Sequence, residues 1–263
     1  MNPTGRSRWR RSWLPLGIIA LAVALVCVLG AARPWASGPA PVAAPVDAAP
    51  APAPLALPDD ATVLIFGDSW VYGAAAITPT RGFAYLTGET LGWQTIVDGV
   101  SGSGYLKPGL TGPAYPERIA ALDPGIDPDL IIVEGSINDR RLPAEGYRET
   151  VNAAWNALAE KYPDARIVIM GPAPQVLPVE KATARIDQDL AELAAARGWW
   201  YISPLADDWI TTENYRTVID TSDLGRNHPS TEGHAYLAER LVDAIERLSG
   251  AGTVAADGLD LAG

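Results

Sequence analysis

Ser69 stands directly after the apolar run TVLIF, inside the triplet Gly67-Asp68-Ser69 of "LIFGDSWVYG". A serine hydroxyl is a weak nucleophile until a base takes its proton and donors meet the oxyanion that forms. The rest of the chain holds residues suited to those tasks, in order. The glycines of "DGVSGSGYL", Gly99, Gly102 and Gly104, let backbone N–H groups approach a ligand closely. Asn138, in "EGSIND", carries an amide that can polarise a carbonyl oxygen as it becomes anionic. His228, in "GRNHPSTEGHAYLA", is an imidazole that titrates near neutrality, the usual base for a serine. Singly, each has a plainer explanation. A serine caps helices, glycine and asparagine close turns, and a loop histidine bonds to backbone. His234, a turn or two into the next helical pattern, is read as structural.

These residues need elements to hold them. Five apolar runs read as strands: Thr62–Phe66, Thr95–Val97 with its neighbours, Leu130–Val133, Arg166–Met170 and Trp199–Ile202. Helical patterns cover Ala144–Lys161, Val179–Arg197 and Thr231–Leu248, the last with Leu237, Leu241, Val242, Ile245 and Leu248 on one face. Ser230 is its expected N-cap. Continuous apolar strands separated by helices predict a five-stranded parallel sheet covered on both faces, a flavodoxin-like three-layer α/β/α sandwich. Ligands of such sheets bind where the strands end, near a topological switch point, and Ser69 follows the first strand.

The composition narrows the function. Net charge is -11, yet residues 1–33 hold five arginines and no acid, leaving 15 basic against 31 acidic residues in the remainder. So acidic a domain is a poor electrostatic partner for nucleic acid or anionic lipid, and its substrate is expected to be neutral or recognised locally. Cys27 is the only cysteine and His228 and His234 the only histidines, which excludes a disulfide framework and a cysteine- or histidine-rich metal centre within the chain. Carboxylates alone could hold calcium or magnesium, although no EF-hand loop spacing is visible. A Walker loop is missing, and the nucleophile elbow G-x-S-x-G has only a near miss at Gly99–Ser103.

Residues 1–12 are basic, and residues 13–32, "WLPLGIIALAVALVCVLGAA", form an apolar stretch that as a helix would span about 30 Å, the thickness of a hydrocarbon core. By the positive-inside rule this predicts a signal-anchor, or a cleaved signal peptide, with the following domain outside the cytoplasm. Residues 33–59 read as a Pro/Ala-rich linker, residues 60–249 as the globular domain, and residues 250–263 as a loose tail.

The four blocks, Gly67-Asp68-Ser69, Gly102 in "VSGSG", Asn138 in "GSIND" and His228 in "HPSTEGHAYLA", resemble those of the SGNH/GDSL hydrolase superfamily of esterases and lipases, in family order across residues 62–248. The resemblance implies a serine esterase without a metal cofactor: Ser69 the nucleophile, His228 the base, the Ser69 and Gly102 N–H groups and the Asn138 side chain the oxyanion hole, and Asp68 structural. Two positions depart from the pattern. The family's acid lies three residues before the histidine, where this chain has Gly225; Asp223 is the preferred orienting acid, with Asp220 or a backbone carbonyl as alternatives. The glycine usual two residues before the asparagine is here Ser136, with Gly135 displaced by one. Small-molecule or glycan acyl esters are the implied substrates. The competing readings are an O-acyltransferase and a non-catalytic domain that binds envelope glycan or protein, for which Trp70, Trp93, Trp155, Trp199, Trp200 and Trp209 would offer stacking surfaces.

Overall fold

The computed structural model describes residues 49–250. The apolar stretch 13–32, the basic residues before it, most of the linker and the tail after Gly250 lie outside the described residues. No helix among the described residues is long and apolar enough to cross a membrane.

Five strands form one parallel sheet: β1 Thr62–Gly67, β2 Gln94–Gly99, β3 Leu130–Glu134, β4 Arg166–Met170 and β5 Trp200–Ile202. Their order, β2-β1-β3-β4-β5, reverses direction between β1 and β3, which makes the carboxyl ends of those two strands the switch point. The expected sheet and sandwich are thus present. The unbroken apolar runs follow from alternation, because successive residues feed opposite faces. Val63, Ile65, Leu130, Ile132 and Val168 face one core, while Leu64, Phe66, Ile131, Val133 and Ile167 face the other.

Seven α-helices lie among the described residues: α1 Ser69–Tyr72, α2 Phe83–Leu91, α3 Tyr115–Ala121, α4 Tyr147–Lys161, α5 Lys181–Ala196, α6 Tyr215–Val218 and α7 Thr231–Leu248. Residues from α2 and α7 pack in the first core, and residues from α3, α4 and α5 in the second. The Ser230 side chain accepts from Gly233 N–H and caps α7 as expected. A two-stranded antiparallel ribbon, β6 Ile219–Asp220 with β7 His228–Pro229, brings the C-terminal histidine back to the site.

Packing begins earlier than the expected boundary at Asp60. Leu55 is buried in the first core and its N–H donates to Leu248 O at 2.8 Å, while Trp200 Nε1 donates to Ala53 O at 3.0 Å. Proline disfavours a regular element here, but a leucine beside a helix end gains from burial without needing one.

Candidate active site

Four loops meet at the carboxyl edge of the sheet, each supplied by a different strand or by the ribbon. The first turns sharply after β1 into α1. Asp68 caps that helix through Oδ1, which accepts from Trp70 N–H at 2.9 Å, and this places Ser69 as the first helical residue. Ser69 Oγ lies 2.9 Å from His228 Nε2. The other ring nitrogen, Nδ1, lies 2.9 Å from the carbonyl of Gly225. A carbonyl only accepts, so Nδ1 carries the hydrogen, and the bare Nε2 accepts from the serine hydroxyl. Burial holds the imidazole below its usual range and the Arg226 charge lowers it further, so the neutral, proton-accepting form prevails at pH 7.

The orienting group differs from the preferred reading. Asp223 is exposed and makes no hydrogen bond or ion pair to His228, and Asp220 Oδ1 accepts instead from Ser222 N–H at 2.9 Å. Gly225 sits at the position where the family pattern has its acid, and it orients the ring by its own backbone. A Cβ on Gly225 would come within 2.1 Å of Asp220 Cγ, so the Asp220 side chain occupies the space a side chain at 225 would need. Asp223→Ala is therefore expected to leave kcat/KM for p-nitrophenyl acetate within about twofold of the parent, as for an exposed side chain, whereas losing a true triad carboxylate costs about 10⁴-fold. Steady-state kinetics on the two proteins decides between these outcomes.

The residues expected to donate to an oxyanion follow β1, β2 and β3. The backbone N–H groups of Ser69 and Gly102 donate to no protein acceptor among the described residues. Gly102 has φ +80°, a left-handed conformation that favours glycine, and this fixes how its peptide is presented. Asn138 lies in the short 3₁₀ turn Ile137–Arg141 after β3. Its Nδ2 donates to Asp68 Oδ2 at 2.9 Å and to Ser103 O at 3.0 Å, so both amide hydrogens are engaged and service to an oxyanion requires sharing one of them. Ser136, where the family has glycine, takes φ +66°. That costs about 1 kcal/mol or more for a residue with a Cβ. The Ser136 hydroxyl shares a 2.6 Å hydrogen bond with Tyr147 Oη, so the left-handed turn persists without the glycine.

Three supports were not legible in the sequence. Asp139 is fully buried and accepts from the N–H groups of Tyr105, Leu106 and Lys107 at 2.7, 3.1 and 3.0 Å, pinning the loop that carries Gly102. Burial pushes its carboxyl up to about 6 although those three bonds pull it down. Arg118, on α3, donates to Gly67 O and Ser103 Oγ at 2.8 and 2.9 Å and pairs with Asp98 at 2.7 Å, tying the ends of β1 and β2 to the same loop. Glu134 ends β3 beneath Asp68, whose N–H it accepts at 3.4 Å, and burial, reinforced by the Asp68 charge, raises its carboxyl well above the usual range. Asp68 itself is raised to about 6, chiefly by burial. An acidic residue following the family asparagine was visible in "SIND", and its place on the neighbouring loop's N–H groups was the missing inference.

A parallel α/β/α sandwich with a serine hydrogen-bonded to a histidine at its switch point is the architecture of an SGNH-type hydrolase. The profile of the GDSL-like lipase/acylhydrolase family matches residues 65–236, and the chain belongs to that family. It is 26% identical over 197 residues to the GDSL lipase Rv0518 of Mycobacterium tuberculosis, a match covering 70% of this chain and 80% of the relative. Its fold is similar to that of a carbohydrate acetylesterase family member from Sinorhizobium meliloti, with TM-score 0.55 and 15% identity over 72% of this chain and 99% of the other. A family two carbohydrate esterase from Cellvibrio japonicus gives TM-score 0.54 and 20% identity, covering 74% of this chain and 63% of the other.

Proposed function

We propose that this hydrolase cleaves acyl esters through a covalent acyl-enzyme. The observation that carries the reading is the 2.9 Å contact between Ser69 Oγ and a His228 Nε2 whose other nitrogen is already occupied. His228 takes the hydroxyl proton as Ser69 attacks the ester carbonyl, then gives it to the leaving alcohol. A water, activated by the same nitrogen, releases the acid. The free N–H groups of Ser69 and Gly102 meet the oxyanion, and Asn138 joins by sharing the hydrogen it directs at Ser103 O. With a carbonyl behind the ring in place of a carboxylate, the imidazolium gains less stabilisation, and the site works as a dyad.

The lipase and carbohydrate esterase relatives support an acyl ester, of lipid or glycan, as substrate. The arginines and apolar stretch before residue 33 support a placement outside the cytoplasm, tethered or secreted. The binding-domain reading has less support, since none of the six tryptophans of the domain lines the cleft at Ser69. A fluorophosphonate probe tests the proposal. The full chain is expected to gain one adduct by intact mass, mapped to Ser69, and His228→Ala is expected to suppress it. A chain that stays unmodified under conditions that label a control esterase overturns the esterase reading in favour of a binder.

A further inference from the structure

The domain is acidic as a whole, yet the cleft at Ser69 reverses that sign. Its charged lining residues are Lys107, Arg140, Arg141 and Arg226, with no aspartate or glutamate among them, around a cavity of about 350 Å³. Arg140 is already committed, pairing with Glu180 at 2.6 Å and donating to Ile137 O and Gln175 Oε1 at 3.0 and 2.8 Å. The other three meet no carboxylate. Lys107 Nζ donates only to Gly102 O, at 2.8 Å, while the exposed Arg141 and Arg226 guanidinium groups make no hydrogen bond or ion pair among the described residues. In a chain with 31 carboxylates for 20 basic residues, three cations unpaired around one cleft are an arrangement that an anion would complete.

The loop that carries Arg226 is built at a cost. Arg226 and Asn227 have φ +51° and +59°, two consecutive left-handed residues with side chains. They are held by Arg226 N–H on Ser222 O at 2.8 Å and Asn227 N–H on Asp220 O at 2.9 Å. The same turn delivers the Gly225 carbonyl to His228, so one strained loop both orients the base and sets a guanidinium at the cleft. Leu224, 93% exposed, and Leu110, 76% exposed, border the same cavity and offer apolar contact beside the charge.

We infer that the substrate is an ester bearing its own anionic group, a carboxylate or a phosphate, close to the scissile bond, received by Arg141, Arg226 and Lys107. This rests on the esterase reading above and names the class of ester.

Acetates of four para-substituted phenols test it on the full chain: 4-acetoxybenzoate, 4-acetoxyphenyl phosphate, neutral methyl 4-acetoxybenzoate and the cationic 4-acetoxyphenyltrimethylammonium. At low ionic strength kcat/KM for at least one anionic ester is expected to exceed that of the cationic one by about tenfold or more after correction for spontaneous hydrolysis. That ratio is expected to shrink between about 0.01 M and about 1 M salt, as the screening length falls from about 30 to about 3 Å. It is also expected to fall severalfold in Arg141→Gln/Arg226→Gln. Whichever anion shows the larger loss identifies the source. A ratio near one, or one that the double substitution leaves unchanged, overturns the inference while leaving the esterase intact. If no acetate is cleaved, the esterase reading fails separately, and phenyl phosphate binding followed by amide chemical shifts in parent and double variant still reads the charge preference. Equal shifts in both proteins then reject it.

Discussion

Ser69→Ala is expected to lower kcat/KM for p-nitrophenyl acetate by about 10⁴-fold or more while the protein stays folded. The size follows from what the hydroxyl does. In the proposed mechanism it supplies the bond-forming atom and the proton that His228 accepts, and among the described residues no second serine or threonine hydroxyl meets His228 Nε2, which lies 2.9 Å from Ser69 Oγ. The fold has little stake in it, because removing one partner of a hydrogen bond at the cleft costs about 1 kcal/mol. Residual turnover would then measure the oxyanion donors and general binding alone. Undiminished hydrolysis by the alanine variant, with an unaltered circular dichroism spectrum, would sink the assignment of the nucleophile.

The second large effect belongs to a residue that never touches substrate. Asp139→Asn is expected to destabilise the domain by about 1–3 kcal/mol, the cost of leaving a buried donor unsatisfied. Its two oxygens accept three N–H groups, Tyr105 on Oδ2 and Leu106 and Lys107 on Oδ1. An amide replaces one acceptor by a donor, so in either orientation an N–H faces an NH₂. The loop between Gly102 and Lys107 then shifts, and a displacement of about 1 Å in an oxyanion donor costs about a hundredfold in rate. Denaturant melts should show the lost stability, and kcat, more than KM, should carry the catalytic loss. A variant with parental kcat would mean that the loop holds its shape without the carboxylate.

The central strands β1, β3 and β4 were legible because both faces of the sheet are buried there, which turns each into a continuous apolar word such as LIIV or RIVIM. The helix α7 was legible from its period and its Ser230 cap. By contrast, the apolar pattern of α2 is broken at Gly88, whose lack of a side chain lets the helix close on β2: a Cβ there would meet Thr95 Oγ1 at 1.8 Å. Seven-residue α3 and the two-residue strands β6 and β7 are too short to show any period. At the site, Ser69, Gly102, Asn138 and His228 line one cleft, and their grouping was readable because few residue types suit the tasks proposed for them. The group behind His228 was not, since a backbone carbonyl has no signature in residue type. The residue pattern therefore points to the nearest carboxylate upstream, Asp223, whereas the group that meets His228 Nδ1 is the Gly225 carbonyl. The charge at the cleft was hidden for another reason. Lys107, Arg141 and Arg226 are far apart in sequence, in a stretch beyond residue 33 where acids outnumber bases 31 to 15.

The contact between Leu55 and Leu248 closes one end of the sheet. Both residues sit where β1 begins, and Ser69 sits just past where it ends, six residues or about 20 Å away along the strand. The first side chain of the domain to be buried, Leu55, and the cleft at Ser69 thus lie at opposite ends of one strand. The amino edge of the sheet is closed by packing, and the carboxyl edge is left to the loops that receive a ligand.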